Sequence, residues 1–126
     1  MREKTRTRIA EKAAPLLEEG ETMRASTPGF EGPRWALFFG LIGTMMTKPV
    51  LVAVTDRNLY VMKGSYWSVA SPKGVEERSP LGTVEVKFDG GFPFGALDVG
   101  PRRVWIGRIY GGDAKQVAEA AGGTAS

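Results

Sequence analysis

The sequence predicts a mainly β domain with short helices, and three observations carry that expectation. Val50-Leu-Val-Ala-Val54 and Leu59-Tyr-Val-Met62 are apolar, β-branched-rich runs joined by the turn-forming Thr55-Asp-Arg-Asn58. Thr83 to Phe88 alternates, with Val84, Val86 and Phe88 on one side and Thr83, Glu85 and Lys87 on the other. Seventeen glycines and eight prolines in 126 residues supply the turns that many short strands require. One domain is the natural expectation at this length, and it can bury a core without metal or disulfide staples.

Taken in order, the chain starts with a basic, polar stretch, Met1 to Arg8. No apolar core follows it, so it does not read as a secretory signal. A short helix is expected from Thr7 to Glu19, with Ile9, Ala13, Leu16 and Leu17 on one face and Pro15 as a kink or first-turn residue. Gly20 stops it. Glu21 to Ser26 opens the sheet, and Thr27 to Arg34, with two prolines and two glycines, reads as loop. Seven strands are predicted, at about 21–26, 50–55, 59–63, 75–79, 82–88, 94–99 and 103–108. In the last, Val104 and Ile106 face inward and Trp105 outward. Asp113 is expected to cap a C-terminal helix with an apolar stripe of Ala114, Val117, Ala118 and Ala121. Gly122-Gly123 ends it, and residues 122–126 are expected to fray.

Trp35 to Met46 is the most apolar stretch outside the hairpin. Twelve residues of helix reach about 18 Å, short of the ~30 Å hydrocarbon core, and extension through Val54 would bury Lys48. Three readings stand: a strand or short helix completing the core, a helix against the sheet or a partner subunit, and a segment dipping into a membrane interface through Trp35, Phe38 and Phe39.

The motifs resemble those of bacterial pleckstrin-homology-like (PH-like) domains. Val52-Ala-Val-Thr-Asp-Arg-Asn-Leu-Tyr-Val-Met62 resembles their strand–Thr-Asp-Arg–strand element. Leu16-Leu-Glu-Glu-Gly-Glu21 resembles the lead-in to their first strand, and Ser79-Pro-Leu81 a later strand junction. The resemblance implies a seven-stranded antiparallel PH-like barrel with an N-terminal helix, an apolar insertion after the first strand and a short C-terminal capping helix. The expected organisation is a basic tail and helix start at 1–14, the domain at 15–121 with its insertion at 27–49, and a tail from 122. Such domains usually bind or scaffold. Some bind phosphoinositides through a basic loop between the first strands; here an apolar insertion occupies that place, so that property is not carried over. The C-terminal helix has Val117 as its only bulky apolar residue and is expected to cover a barrel mouth poorly.

Composition narrows the chemistry. With no cysteine there is no disulfide, thiol catalysis or Cys-based zinc site, and with no histidine the commonest general base and metal ligand are missing. No phosphate-cradling glycine loop occurs, the serines have no base, and the acidic residues lack ligand spacing. The expectation is therefore a non-enzymatic module with no cofactor and no metal. The net charge of +3 is too mild for a nucleic-acid binder. Contact residues expected for a protein partner or a second copy are Trp35, Phe38, Phe39, Leu41, Ile42 and Lys48. The alternative is peripheral membrane or lipid binding through the same segment and nearby basic residues. Arg102, Arg103, Trp105 and Arg108 form a secondary basic–aromatic cluster able to contact phosphate; the plainer reading is a solvated hairpin. The absence of cysteine fits a reducing cytoplasm, at large or at the inner membrane face.

Overall fold

The computed structural model describes residues 3–32, 47–64, 72–91 and 94–125. Helix α1 (Glu3–Ala13) runs into a 3-10 turn, Ala14–Leu16, and then the strands β1 (Met23–Glu31), β2 (Lys48–Thr55), β3 (Asn58–Lys63) and β4 (Gly74–Pro80). They are followed by β5 (Val86–Asp89), β6 (Phe94–Val99), β7 (Arg102–Gly107), a 3-10 turn at Arg108–Tyr110, helix α2 (Gly111–Ala120) and β8 (Thr124–Ala125). The mainly β expectation holds.

The closed seven-stranded antiparallel barrel does not. The eight strands form one open sheet in the order β4-β3-β2-β1-β7-β6-β5-β8. Closure would require β5 to pair with β4, but the far edge of β5 carries the chain's own β8, aligned parallel through Lys87↔Thr124 and Phe88↔Ala125. The tail at 124–125 is thus paired and not frayed. Gly123 makes this turn possible: a Cβ there would lie 1.9 Å from the Val86 carbonyl oxygen.

The sheet is open but curled. Arg102 on β7 reaches Glu77 on β4 at 2.7 Å, although β3, β2 and β1 lie between these strands in the hydrogen-bonding order. The inside of the curl holds the main core: Val50, Val52, Val54, Leu59, Val61, Val86, Phe88, Leu97, Val99, Val104 and Ile106. Helix α2 sits against it. Contrary to the sequence expectation, its narrow stripe covers well: Ala114, Val117 and Ala118 are all fully buried, because small side chains let the helix backbone approach the strands closely. Asp113 is not the cap; it lies buried in the first turn of α2 and pairs with Arg6 of α1 at 3.1 Å.

A second cluster lies on the opposite face of β2 and β3, where Leu51, Ala53, Tyr60 and Met62 are covered by Ile9 and Ala13 of α1, with Leu16, Leu17 and Met23 at its margin. Strands β2 and β3 are therefore buried on both faces, which is why Val50 to Val54 is apolar without alternation. Helix α1 starts and stops earlier than expected, because Pro15 cannot continue it and falls in the 3-10 turn. Six of its eleven residues are charged, and only Ile9 and Ala13 are buried. Burying Ile9 contributes about 2–3 kcal/mol, and a helix this short is marginal alone. Docking is what holds α1 folded.

Strand β1 continues five residues past the Ser26 limit expected from sequence. Pro28 is tolerated because this part of β1 pairs only with β2; the β7 ladder begins at Phe30↔Trp105, and the Pro28 carbonyl accepts a hydrogen bond from the Thr27 hydroxyl at 3.2 Å. Gly29 lies where β1 meets β7, and a Cβ there would approach Val104 Cγ1 to 2.4 Å and the Trp105 carbonyl oxygen to 2.9 Å. Strand β5 begins only at Val86, so Thr83 to Glu85 belongs to the approach.

Candidate functional site

Two polar assemblies lie at opposite ends of β2. At the Thr55 end, the Leu16–Glu21 segment is stitched to the Thr55-Asp-Arg-Asn58 turn. The Glu21 carboxylate accepts from the Thr55 hydroxyl on one oxygen and from the Tyr60 hydroxyl on the other. Tyr60 in turn accepts from the Glu18 N–H at 3.2 Å, and that N–H also donates to Glu21 at 2.9 Å. Thr55 Oγ1 accepts from the Asn58 N–H at 3.0 Å, which fixes the turn. Asn58 Nδ2 donates to Glu18 at 3.0 Å, and Arg57 donates to the Glu19 carbonyl at 2.6 Å. Asp56 accepts from the Thr22 N–H at 3.0 Å. Every member of the Thr-Asp-Arg-Asn sequence is thus spent on holding the N-terminal segment to the sheet.

This knot is a charged-state device. Burial pushes the Glu21 carboxyl up, but the bonds from Thr55, Tyr60, the Glu18 N–H and Asn58 outweigh it and hold the group below the usual carboxylate range. Burial, and then the carboxylate it serves, push the Tyr60 phenol up. A carboxyl whose folded pKa is depressed stabilises the fold above its unfolded value of about 4.3, and that contribution is lost as the pH falls through the folded value. The urea midpoint of the wild-type protein should therefore drop as the pH is lowered through this window. Glu21→Gln should lower the midpoint at pH 7 and flatten its acid dependence; an equally steep acid limb in the variant would assign the acid loss to other groups.

At the opposite end of β2, charged side chains line the rim of the curl. Arg102 lies between Glu31 at 2.6 Å and Glu77 at 2.7 Å, and Lys48 pairs with Glu76. Burial works against the Arg102 charge, and the fields of Glu31 and Glu77 more than offset it. Glu31 and Lys48 face each other at this rim in the β1–β2 register.

The contact residues expected from sequence divide accordingly. Trp35, Phe38, Phe39, Leu41 and Ile42 lie outside the described residues. Lys48 is exposed at the rim in its ion pair. The basic–aromatic cluster is split by the strand: Arg102 turns to the rim carboxylates, whereas Arg103 and Trp105 share the outer face, with the guanidinium 5.8 Å from the indole centroid. Arg103 is forked onto Asp98 at 2.8 and 3.2 Å, and the Trp105 N–H donates to the Gly32 carbonyl at 2.9 Å. Arg108 belongs to the 3-10 turn beyond β7. Sequence reasoning missed the roles of Glu21, Tyr60, Glu31 and Glu77; Glu21 and Tyr60 stood inside the two quoted motifs, but nothing in the chain announced their contact. Among the described residues no cluster of acidic side chains suits a metal ion, and no helix is long and apolar enough to cross a membrane.

No family profile matches the chain, and no curated protein does. One solved structure gives the fold a counterpart. It is the hSac2 domain from the human phosphoinositide phosphatase Sac2, similar at a TM-score of 0.51 and 10% identity over 98% of this chain and 87% of that one. At that identity the likeness speaks for the fold alone.

Proposed function

We propose that this chain is a non-enzymatic, PH-like interaction module of the cytoplasm. It binds a protein partner, a second copy included, through Trp35, Phe38, Phe39, Leu41 and Ile42, with Lys48 at their base. The observation that carries this reading is that, among the described residues, each of the two apolar clusters of the sheet has a helix packed on it. Helix α2 closes the inner cluster and α1 the outer one. Among the described residues, the rim that holds Glu31 and Lys48 is a set of ion pairs. An apolar run attached there has its natural complement in another molecule.

A protein surface is favoured over a lipid one. Lys48 and Arg102 are both neutralised by glutamates, so these two rim cations offer no uncompensated charge to an anionic membrane. The PH-like reading draws support from the knot, where two of the three resembling motifs meet as one hydrogen-bonded unit.

Sedimentation with anionic vesicles, using wild-type protein and Phe38→Asp/Phe39→Asp, separates the two surfaces. Wild type should stay with the supernatant and self-associate as concentration rises, or else bind a protein partner in a way the double substitution abolishes. Vesicle pelleting that the substitution abolishes would hand the segment to the lipid reading.

A further inference from the structure

We propose that the flank of α1 carrying Lys4, Arg8 and Lys12 is a docking strip for the phosphate backbone of a nucleic acid, bound without regard to sequence. The net charge of +3 is mild for such a partner, but its placement is not. Residues 1–13 hold five of the 17 basic and two of the 14 acidic residues, so the whole surplus lies on this stretch and the rest of the chain is balanced. Excess charge gathered on one helix is the electrostatic footprint of a nucleic-acid contact.

The three cations recur at every fourth position and so form one row along the helix, with successive members about 6 Å apart. All three are exposed. Arg6 lies on another side, about 200° round the helix from Arg8, and is spent on Asp113 at 3.1 Å. Among the described residues that is the one ion pair α1 makes, so Lys4, Arg8 and Lys12 are uncompensated. The row brings the fold nothing. Like charges one turn apart weaken a helix, and this helix is already short. Docking to the sheet rests on Ile9 and Ala13 instead.

The chemistry of the helix selects the partner. Ile9 and Ala13 are fully buried, so α1 has no apolar side left to sink into a lipid interface. Its exposed positions carry no aromatic or aliphatic anchor, and lysine and glutamate are depleted where proteins bind one another. A phosphate backbone requires neither an anchor nor an apolar floor; it requires cations in a line. Glu3 and Glu11, in the neighbouring row with Thr7, confine the contact to one flank and keep it weak. This strip is separate from residues 35–46, and the proposal does not rest on them.

The test titrates the full chain, by anisotropy at low salt, against two labelled DNA duplexes of unrelated sequence. Both should bind equally, with log affinity falling against log salt at a slope of about −3, as for three neutralised phosphates. Lys4→Gln/Arg8→Gln/Lys12→Gln should weaken binding at least about tenfold and flatten the slope. Its urea midpoint should be no lower than that of wild type, because glutamine is as good a helix former and the repulsion within the row is gone. Glu3→Gln/Glu11→Gln should tighten binding. Lys63→Gln/Lys73→Gln/Lys115→Gln removes the same charge from exposed positions elsewhere and should change the affinity by no more than about threefold. The proposal is overturned by no binding of wild type, by equal losses in the two triple variants, by a lowered midpoint in the α1 variant, which would give the row to the fold, or by displacement of the duplex by anionic vesicles, which would give it to lipid.

Discussion

Tyr60→Ala is expected to destabilise the protein by about 4 kcal/mol, in the range for deleting a buried aromatic ring. The ring belongs to the outer cluster and is 1% exposed, while its hydroxyl holds Glu21. Tyr60→Phe removes the second role alone and should cost about 1–2 kcal/mol at neutral pH. Because the hydroxyl and the carboxylate act as one unit, Tyr60→Phe combined with Glu21→Gln should be less destabilising than the sum of the two, as read by urea unfolding. Strict additivity would mean that the knot is only a set of neighbours. The comparison also separates packing from polar stitching at a position where a single alanine substitution mixes them.

Gly29→Val should cost about 3 kcal/mol and lower the melting temperature by about 10 °C. A β-carbon at Gly29 meets Val104 and the Trp105 carbonyl, and neither can retreat: Val104 is fully buried, and the carbonyl belongs to the backbone of β7. The control is Gly74→Ala, where an added β-carbon meets nothing within 4 Å; its effect should stay within about 0.5 kcal/mol. Equal effects at the two positions would mean that β1 and β7 do not cross closely at Gly29.

These two residues mark the limits of what the sequence discloses. The Val50–Gly64 hairpin is readable because its strands are buried on both faces, so composition alone declares them. The apolar face that covers the outer side, Ile9 and Ala13 with Leu16 and Leu17 at its margin, is readable from its spacing; which strands it covers is not. The segment around Gly29 reads as loop because proline and glycine are turn residues in isolation; here tertiary contact with β7 requires the glycine, and the missing ladder tolerates the proline. Strand β8 has two residues and therefore no period to detect. The knot joins positions 34 and 39 residues apart, and the Arg102–Glu31 contact spans 71. The separation of Arg102 from Arg103, by contrast, follows from strand alternation and is legible in the sequence once β7 is accepted as a strand.

Among the described residues the glutamate knot, the curled sheet and its two helical covers form one connected unit, and the proposed partner role of residues 35–46 requires that this unit keep its stability when that segment is altered. Equilibrium urea unfolding of Phe38→Asp/Phe39→Asp, at a concentration low enough to keep both proteins monomeric, tests it most directly. The stability should lie within about 0.5 kcal/mol of wild type, with an unchanged slope. A loss of about 3 kcal/mol or more, the signature of carboxylates forced into a core, would place the segment inside the fold and contradict it.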